Sequence, residues 1–254
     1  MSMDAANNNL RLGNTGNSIK LTGFKGGIKR EELSNNKMKT IFDKVDNGDG
    51  VLTDAEIAKF KAEMQAAAKD DKLSKGEAKD YLKSGEKPVN TKEISSNDMM
   101  AFLQEIDTIS AKSNIEKAEE VTTEDGKKNV VLTSDGGNTV ETINTEDKTS
   151  SVYKKDEEAK TETTENFDAN HNITSSEVID SSDAENIKTT TTEYNPAEEG
   201  KEPTEKKVTV TSNGYESVTE CDENGNPLIK RESINQSINQ SINLPQKQLN
   251  INPL

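Results

Sequence analysis

The chain has 254 residues, a formal net charge of −15, 29% hydrophobic and 4% aromatic residues, and no Trp. This composition is thin for one large packed core and approaches that of disordered chains. Most of the negative charge falls after residue 120, which argues against nucleic acid or an anionic membrane as a partner. The single cysteine, Cys221, has no internal disulfide partner, and no apolar stretch is long enough to span a bilayer.

Residues 1–29 read as a disordered N-terminal segment, rich in Asn and Gly at its start. Met1 to Leu10 has neither a basic start nor an apolar run, so no Sec signal peptide is expected. That leaves the cytoplasm or export by a signal-peptide-independent route.

A helical domain is expected over residues 30–110. Met38, Ile41, Phe42 and Val45 recur at i, i+3, i+4 and i+7, the apolar face of one helix. Eleven residues follow, Asp46-Asn47-Gly48-Asp49-Gly50-Val51-Leu52-Thr53-Asp54-Ala55-Glu56. A hard divalent cation needs a cage of oxygens, a sharp bend and a carboxylate from the next helix. Gly50 supplies the bend; Asp46, Asp49 and Glu56 supply charged oxygens; Asn47 offers a side-chain oxygen or Gly48 a carbonyl. Thr53 can add a further oxygen, directly or through a water. The competing reading needs no metal: Asn-Gly and Asp-Gly form ordinary turns, and Thr53-x-x-Glu56 is a capping box.

The stretch resembles an EF-hand calcium loop shortened by one residue. That resemblance implies Ca2+ as the cofactor, a backbone carbonyl ligand at Val51, a bidentate carboxylate at Glu56, and Leu52 pointing into the core.

The loop has echoes. Leu52-Thr53-Asp54-Ala55-Glu56 returns as Leu73-Ser74-Lys75-Gly76-Glu77 and as Ile94-Ser95-Ser96-Asn97-Asp98, each 21 residues on. Each copy is an aliphatic residue, a hydroxyl cap and an acid three residues later, followed by a helical pattern. The second copy offers Asp70, Asp71 and Glu77, and the third Glu93, Ser95 and Asp98, both as metal-poor structural partners. EF-hand loops normally pair through a short strand contact, which the resemblance would place between 51–53 and 72–74. Met64, Met99 and Met100 are candidates for core positions or for a groove that a calcium switch would expose.

Residues 111–120 read as a linker, and 121–233 as a Thr/Ser-rich β-hairpin repeat region. Strand-like runs are Asn129–Thr133, Thr139–Asn144, Ser150–Tyr153, Ile173–Ile179, Ile187–Tyr194, Lys207–Thr211, Tyr215–Cys221 and Leu228–Glu232. Asp125-Gly126, Asp135-Gly136-Gly137, Asn213-Gly214 and Asn224-Gly225 mark turns between them. Asp222-Glu223-Asn224-Gly225-Asn226 resembles the turn of bacterial YD-type hairpin repeats, with Asp168-Ala169-Asn170-His171-Asn172 as a decayed copy. Residues 234–254, with repeated Ser-Ile-Asn-Gln, read as a low-complexity, disordered tail.

The expected fold class is therefore α+β in series: an EF-hand-like helical N-terminal domain, then an antiparallel β-hairpin meander, with disordered termini. No catalytic constellation is visible: His171 is the only histidine, in a polar turn, and Cys221 lies among acids. The expected function is calcium binding by a non-enzymatic structural or regulatory protein of bacterial type. The alternative is a surface or secreted adhesion protein whose β-repeat binds a protein or glycan, with residues 46–56 a metal-free relic.

Overall fold

The computed structural model describes residues 9–12, 18–68, 72–196 and 203–234. They form four α-helices and a series of strands, antiparallel except for one short parallel pair, a mixed α+β chain. The chain divides into two compact units. One runs to Lys154 and includes Asp168–His171; the other comprises Lys155–Phe167 and the residues from Asn172 onward. No described helix is long and apolar enough to cross a membrane.

The first unit opens with β1 (Asn9–Leu12), β2 (Ser18–Lys20) and β3 (Ile28–Lys29). Helices and short strands then alternate: α1 (Asn36–Val45), β4 (Val51–Leu52), α2 (Asp54–Ala67), β5 (Lys72–Leu73), α3 (Lys75–Lys83) and α4 (Ser96–Lys112). Asn35 starts α1 by accepting hydrogen bonds from the Lys37 and Met38 amides. The 21-residue echo is a repeated helix start. Thr53, Ser74 and Ser95 each accept from the amide three residues on, and Glu56, Glu77 and Asp98 each return a carboxylate to the cap amide. Both partners of each cap satisfy a backbone donor that the helix itself leaves open.

The apolar faces of these helices share one core. Met38, Ile41 and Phe42 are buried from α1, with Ile57, Phe60 and Met64 from α2, and Val45 packs at the margin. The Phe60 ring lies 6.0 Å from Phe102 of α4, edge-on, and 6.2 Å from Tyr81 of α3. Met64 and Met99 are fully buried, which makes them core residues rather than the floor of an open groove. Leu52, Leu73 and Ile94, the aliphatic residues of the echo, are buried as well.

Two features differ from the sequence reading. Residues 18–29, expected within the disordered segment, are ordered, because Leu21, Phe24 and Ile28 bury against the helices. That burial brings β3 alongside β4, with Ile28 opposite Leu52 and Lys29 opposite Val51. The segments 51–53 and 72–74 therefore do not pair with each other; β5 runs parallel to β1 instead, with Leu12 opposite Leu73.

Gly26 permits the β3 approach. A Cβ there would stand 2.5 Å from the Asp54 nitrogen and 2.7 Å from the Thr53 carbonyl carbon, both backbone atoms that cannot step aside. Gly26→Ala is expected to cost about 1–3 kcal/mol as overpacking does, read as a lower urea midpoint at unchanged slope.

The first unit continues into a meander of β6 (Ile115–Thr122), β7 (Lys128–Ser134), β8 (Thr139–Asn144) and β9 (Ser150–Asp156, in this unit as far as Lys154), each antiparallel to the next. Residues 115–120, read as linker, are thus strand. Ala118, Val130 and Leu132 bury with Val51 in a second small core, flanked by Ile115 and Ile143.

The second unit is a six-strand antiparallel meander: β10 (Thr161–Phe167), β11 (Ile173–Asp180), β12 (Lys188–Tyr194), β13 (Glu205–Ser212), β14 (Tyr215–Cys221) and β15 (Pro227–Ile234). Thr192 is its only buried described residue, so this sheet has no apolar core. Cross-strand ladders stabilise it instead: Val178, Thr190, Val210 and Ser217 lie opposite one another in succession, contacts worth ~0.2–1 kcal/mol each. Asn213 and Gly214 both take positive φ, the two-residue hairpin turn that matches strand twist.

The turns at Asp222 and Asp168 share a geometry. Each aspartate Oδ1 accepts from the amide two residues on, and its carbonyl accepts from the amide three residues on. Gly225 and His171 occupy the same left-handed position. The tail beyond Ile234 lies outside the described residues.

Candidate metal centre

The loop between α1 and α2 is organised by its own carboxylates. Asp46 follows α1, and its amide still donates to the Phe42 carbonyl. Its side chain turns back over the loop, where Oδ2 accepts from the Gly48 amide at 2.9 Å and Oδ1 from the Gly50 amide at 3.2 Å. That curl requires positive φ at Gly48 and Gly50, conformations that cost a side-chain-bearing residue energy. Asp49 Oδ1 accepts from the Val51 amide at 2.9 Å. Glu56 spans the loop: Oε2 accepts from the Thr53 amide and hydroxyl, and Oε1 from the Asn47 amide at 2.6 Å.

These bonds bring Asp46, Asp49 and Glu56 together, with one carboxylate oxygen from each lying within 4.8 Å of the others. Asp46 is 4% exposed and Asp49 7%. Asp49 Oδ2 is buried with no hydrogen-bond partner, although a buried carboxylate oxygen ordinarily has one. Burial raises the Asp46 carboxyl from 3.8 to about 6. The negative charges of Asp49 and Glu56 add to the rise, and the Gly50 amide opposes it.

The other expected ligands divide. The Gly50 and Leu52 carbonyls accept from the Arg30 and Gly27 amides on the β3 side. Carbonyls alternate along an extended chain, so the Val51 carbonyl between them faces the opposite way. Asn47 is exposed; its Oδ1 holds the Asp49 amide and its Nδ2 reaches Glu120 of β6 at 2.9 Å. Of the echo carboxylates, Glu77 and Asp98 serve their helix caps, while Asp70 and Asp71 lie outside the described residues. Among the described residues no second group of three acids lies as close.

Three further residues support the loop and carry no sequence signal, because their partners are distant in the chain. Lys148, in the turn after β8, donates to the Asp49 carbonyl at 2.8 Å. Lys87 donates to the Asp46 carbonyl. Asp54, the first residue of α2, accepts from the amides of Gly26 and Ala118, both at 2.9 Å, tying β6 and the chain before β3 to the end of the loop. Two clefts reach the acids: one of ≈ 920 Å³ beside Asp46, Asn47 and Glu56, the other of ≈ 470 Å³ beside Asp46, Gly48 and Asp49. No protein-family model matches this chain, and no curated protein matches its sequence.

Proposed function

We propose that the protein binds one calcium ion in the loop Asp46–Glu56 and uses it to fasten α1 to α2. The observation that carries this reading is Asp49 Oδ2, buried without a partner and grouped with the carboxylates of Asp46 and Glu56. Three acids held this close repel one another, and a cation between them would remove that cost.

The donor set is oxygen only, which suits a hard cation rather than zinc or copper. Asp46, Asp49 and Glu56 would hold the ion, with the Val51 carbonyl and either the Gly48 carbonyl or Asn47 Oδ1 completing the set. A flexible cage of carboxylates and carbonyls favours calcium over magnesium, which keeps its waters and demands octahedral order. The resemblance to a shortened EF-hand loop points the same way. With β4 paired to β3 rather than to a second loop, the site acts alone.

Calorimetry with the full chain tests this. Calcium is expected to bind with a stoichiometry of one and without cooperativity, and more tightly than magnesium. A heat signal no larger than that of dilution would refute the site.

The raised Asp46 carboxyl adds a pH signature. Its folded-state value, about 6, lies above the unfolded 3.8, so between these values the folded form binds more protons. Stability of the metal-free protein is therefore expected to fall as pH rises from 4 through 6, and saturating calcium is expected to reverse that loss. Melting temperatures measured across this range, with and without calcium, check both signs.

A further inference from the structure

We propose that β15 pairs edge to edge with β15 of a second copy of this chain, forming an antiparallel homodimer through the second unit. β15 ends the strand order and pairs with β14 along one side only. All eight of its residues are exposed. Leu228 is 65% exposed, Ile229 45% and Ile234 74%; with Tyr215, opposite Ile234 on β14, they make up four of the six large exposed hydrophobics among the described residues. Protein sheets usually guard an open edge with a short strand, a bulge, proline or charged side chains; the charges of β15, Lys230, Arg231 and Glu232, are of both signs and can meet opposite charges on a second copy. Here the proline is the first residue of the strand and the register shift lies beside it at Leu228, so residues 229–234 form a regular edge that keeps its backbone amides.

The side chains identify the partner. The register shifts at Leu228, which has no direct partner on β14; from Ile229 onward alternate residues share a face, so Lys230, Glu232 and Ile234 point the same way. Lys230 and Glu232 flank Arg231 symmetrically. A two-fold axis normal to the sheet at Arg231 therefore sets Lys230 opposite Glu232, twice, with Ile234 toward the second copy's Leu228 end. Moving the axis onto Lys230 or Glu232 loses both opposite-charge pairs, so the Arg231 register is favoured. In the single chain Lys230 already holds Glu232, with Nζ 2.8 Å from Oε1, and pairing would extend this contact into a four-residue ladder. On the opposite face Arg231 meets its copy at the axis. Each Arg231 stands 3.5 Å from Glu220 of its own β14, which offsets the like charge.

Sedimentation equilibrium on the full chain tests the proposal. The expected result is a reversible dimer. Lys230→Glu would place four acids along the seam and is expected to weaken it by about tenfold or more. The double change Lys230→Glu with Glu232→Lys restores opposite charges and is expected to restore the dimer. Leu228→Lys with Ile234→Lys, at exposed positions that leave the fold intact by circular dichroism, is expected to give monomer. A wild-type monomer at all concentrations, whether the edge stays open or the chain beyond Ile234 covers it, would overturn the proposal. So would a dimer indifferent to all of these changes.

Discussion

Glu56→Gln is expected to weaken calcium binding by roughly two decades, on the order of 3 kcal/mol. Glu56 is the one acid of the group carried on a helix, and it already spans the loop, bonded to the Asn47 amide at one end and to Thr53 at the other. The amide of Gln keeps one acceptor oxygen, so the helix cap can persist. What it loses is the charge and the second oxygen that a cation would take. The fold should survive, and the metal-free variant should be no less stable than the parent, because one of three mutually repelling charges is gone. Calorimetry and thermal melting on the same samples separate the two effects. Loss of binding together with loss of fold would instead mean that Glu56 serves only as a helix cap.

Phe60→Ala is expected to cost about 3–5 kcal/mol, as truncation of a buried aromatic ring does. Phe60 is fully buried, and its ring meets both Tyr81 and Phe102, so one side chain joins α2, α3 and α4. A matched change in the second unit, Thr192→Ala, is expected to cost under about 1 kcal/mol, because that sheet distributes its stability over many cross-strand pairs. Urea unfolding followed by far-ultraviolet circular dichroism measures both. Equal costs at the two positions would contradict the picture of one unit with a core and one without.

The helices and their starts were legible because their determinants are local. The i, i+3, i+4 spacing of Met38, Ile41 and Phe42 marks a buried face, and the three hydroxyl–acid pairs mark helix caps. Strands bounded by Gly-containing turns were legible for the same reason: Thr139–Asn144 and Tyr215–Cys221 have the expected ends. β6 was not, since Ile-Glu-Lys-Ala-Glu-Glu-Val-Thr places charge on both faces and its strand character comes from pairing with β7. β10, Thr-Glu-Thr-Thr-Glu-Asn-Phe, carries no aliphatic residue at all. The pairing of β3 with β4 rests on two residues on each side and on the burial of Leu21 and Phe24, a non-local event that no period in the sequence encodes.

The candidate site divides along the same line. Asp46, Asp49 and Glu56 come together because they belong to one short loop, which sequence can register. The turn of Asn47 toward Glu120, and the reach of Lys87 and Lys148 to the loop carbonyls, depend on segments tens of residues away. Those lysines place positive charge next to the loop and hold two of its carbonyls, so they bear on how tightly a cation is held.

The most direct test of the central claim is a calcium titration of the isotope-labelled full chain, followed by amide nuclear magnetic resonance. The proposed site predicts that the amides of residues 46–56 shift first and most, with Asn47, Gly48 and Gly50 foremost because their donors now hold the Glu56 and Asp46 carboxylates, and that the shifts saturate at one equivalent. Shifts spread over the acidic second unit with an unmoved 46–56 loop would contradict it, and would make the loop a capped turn without a metal.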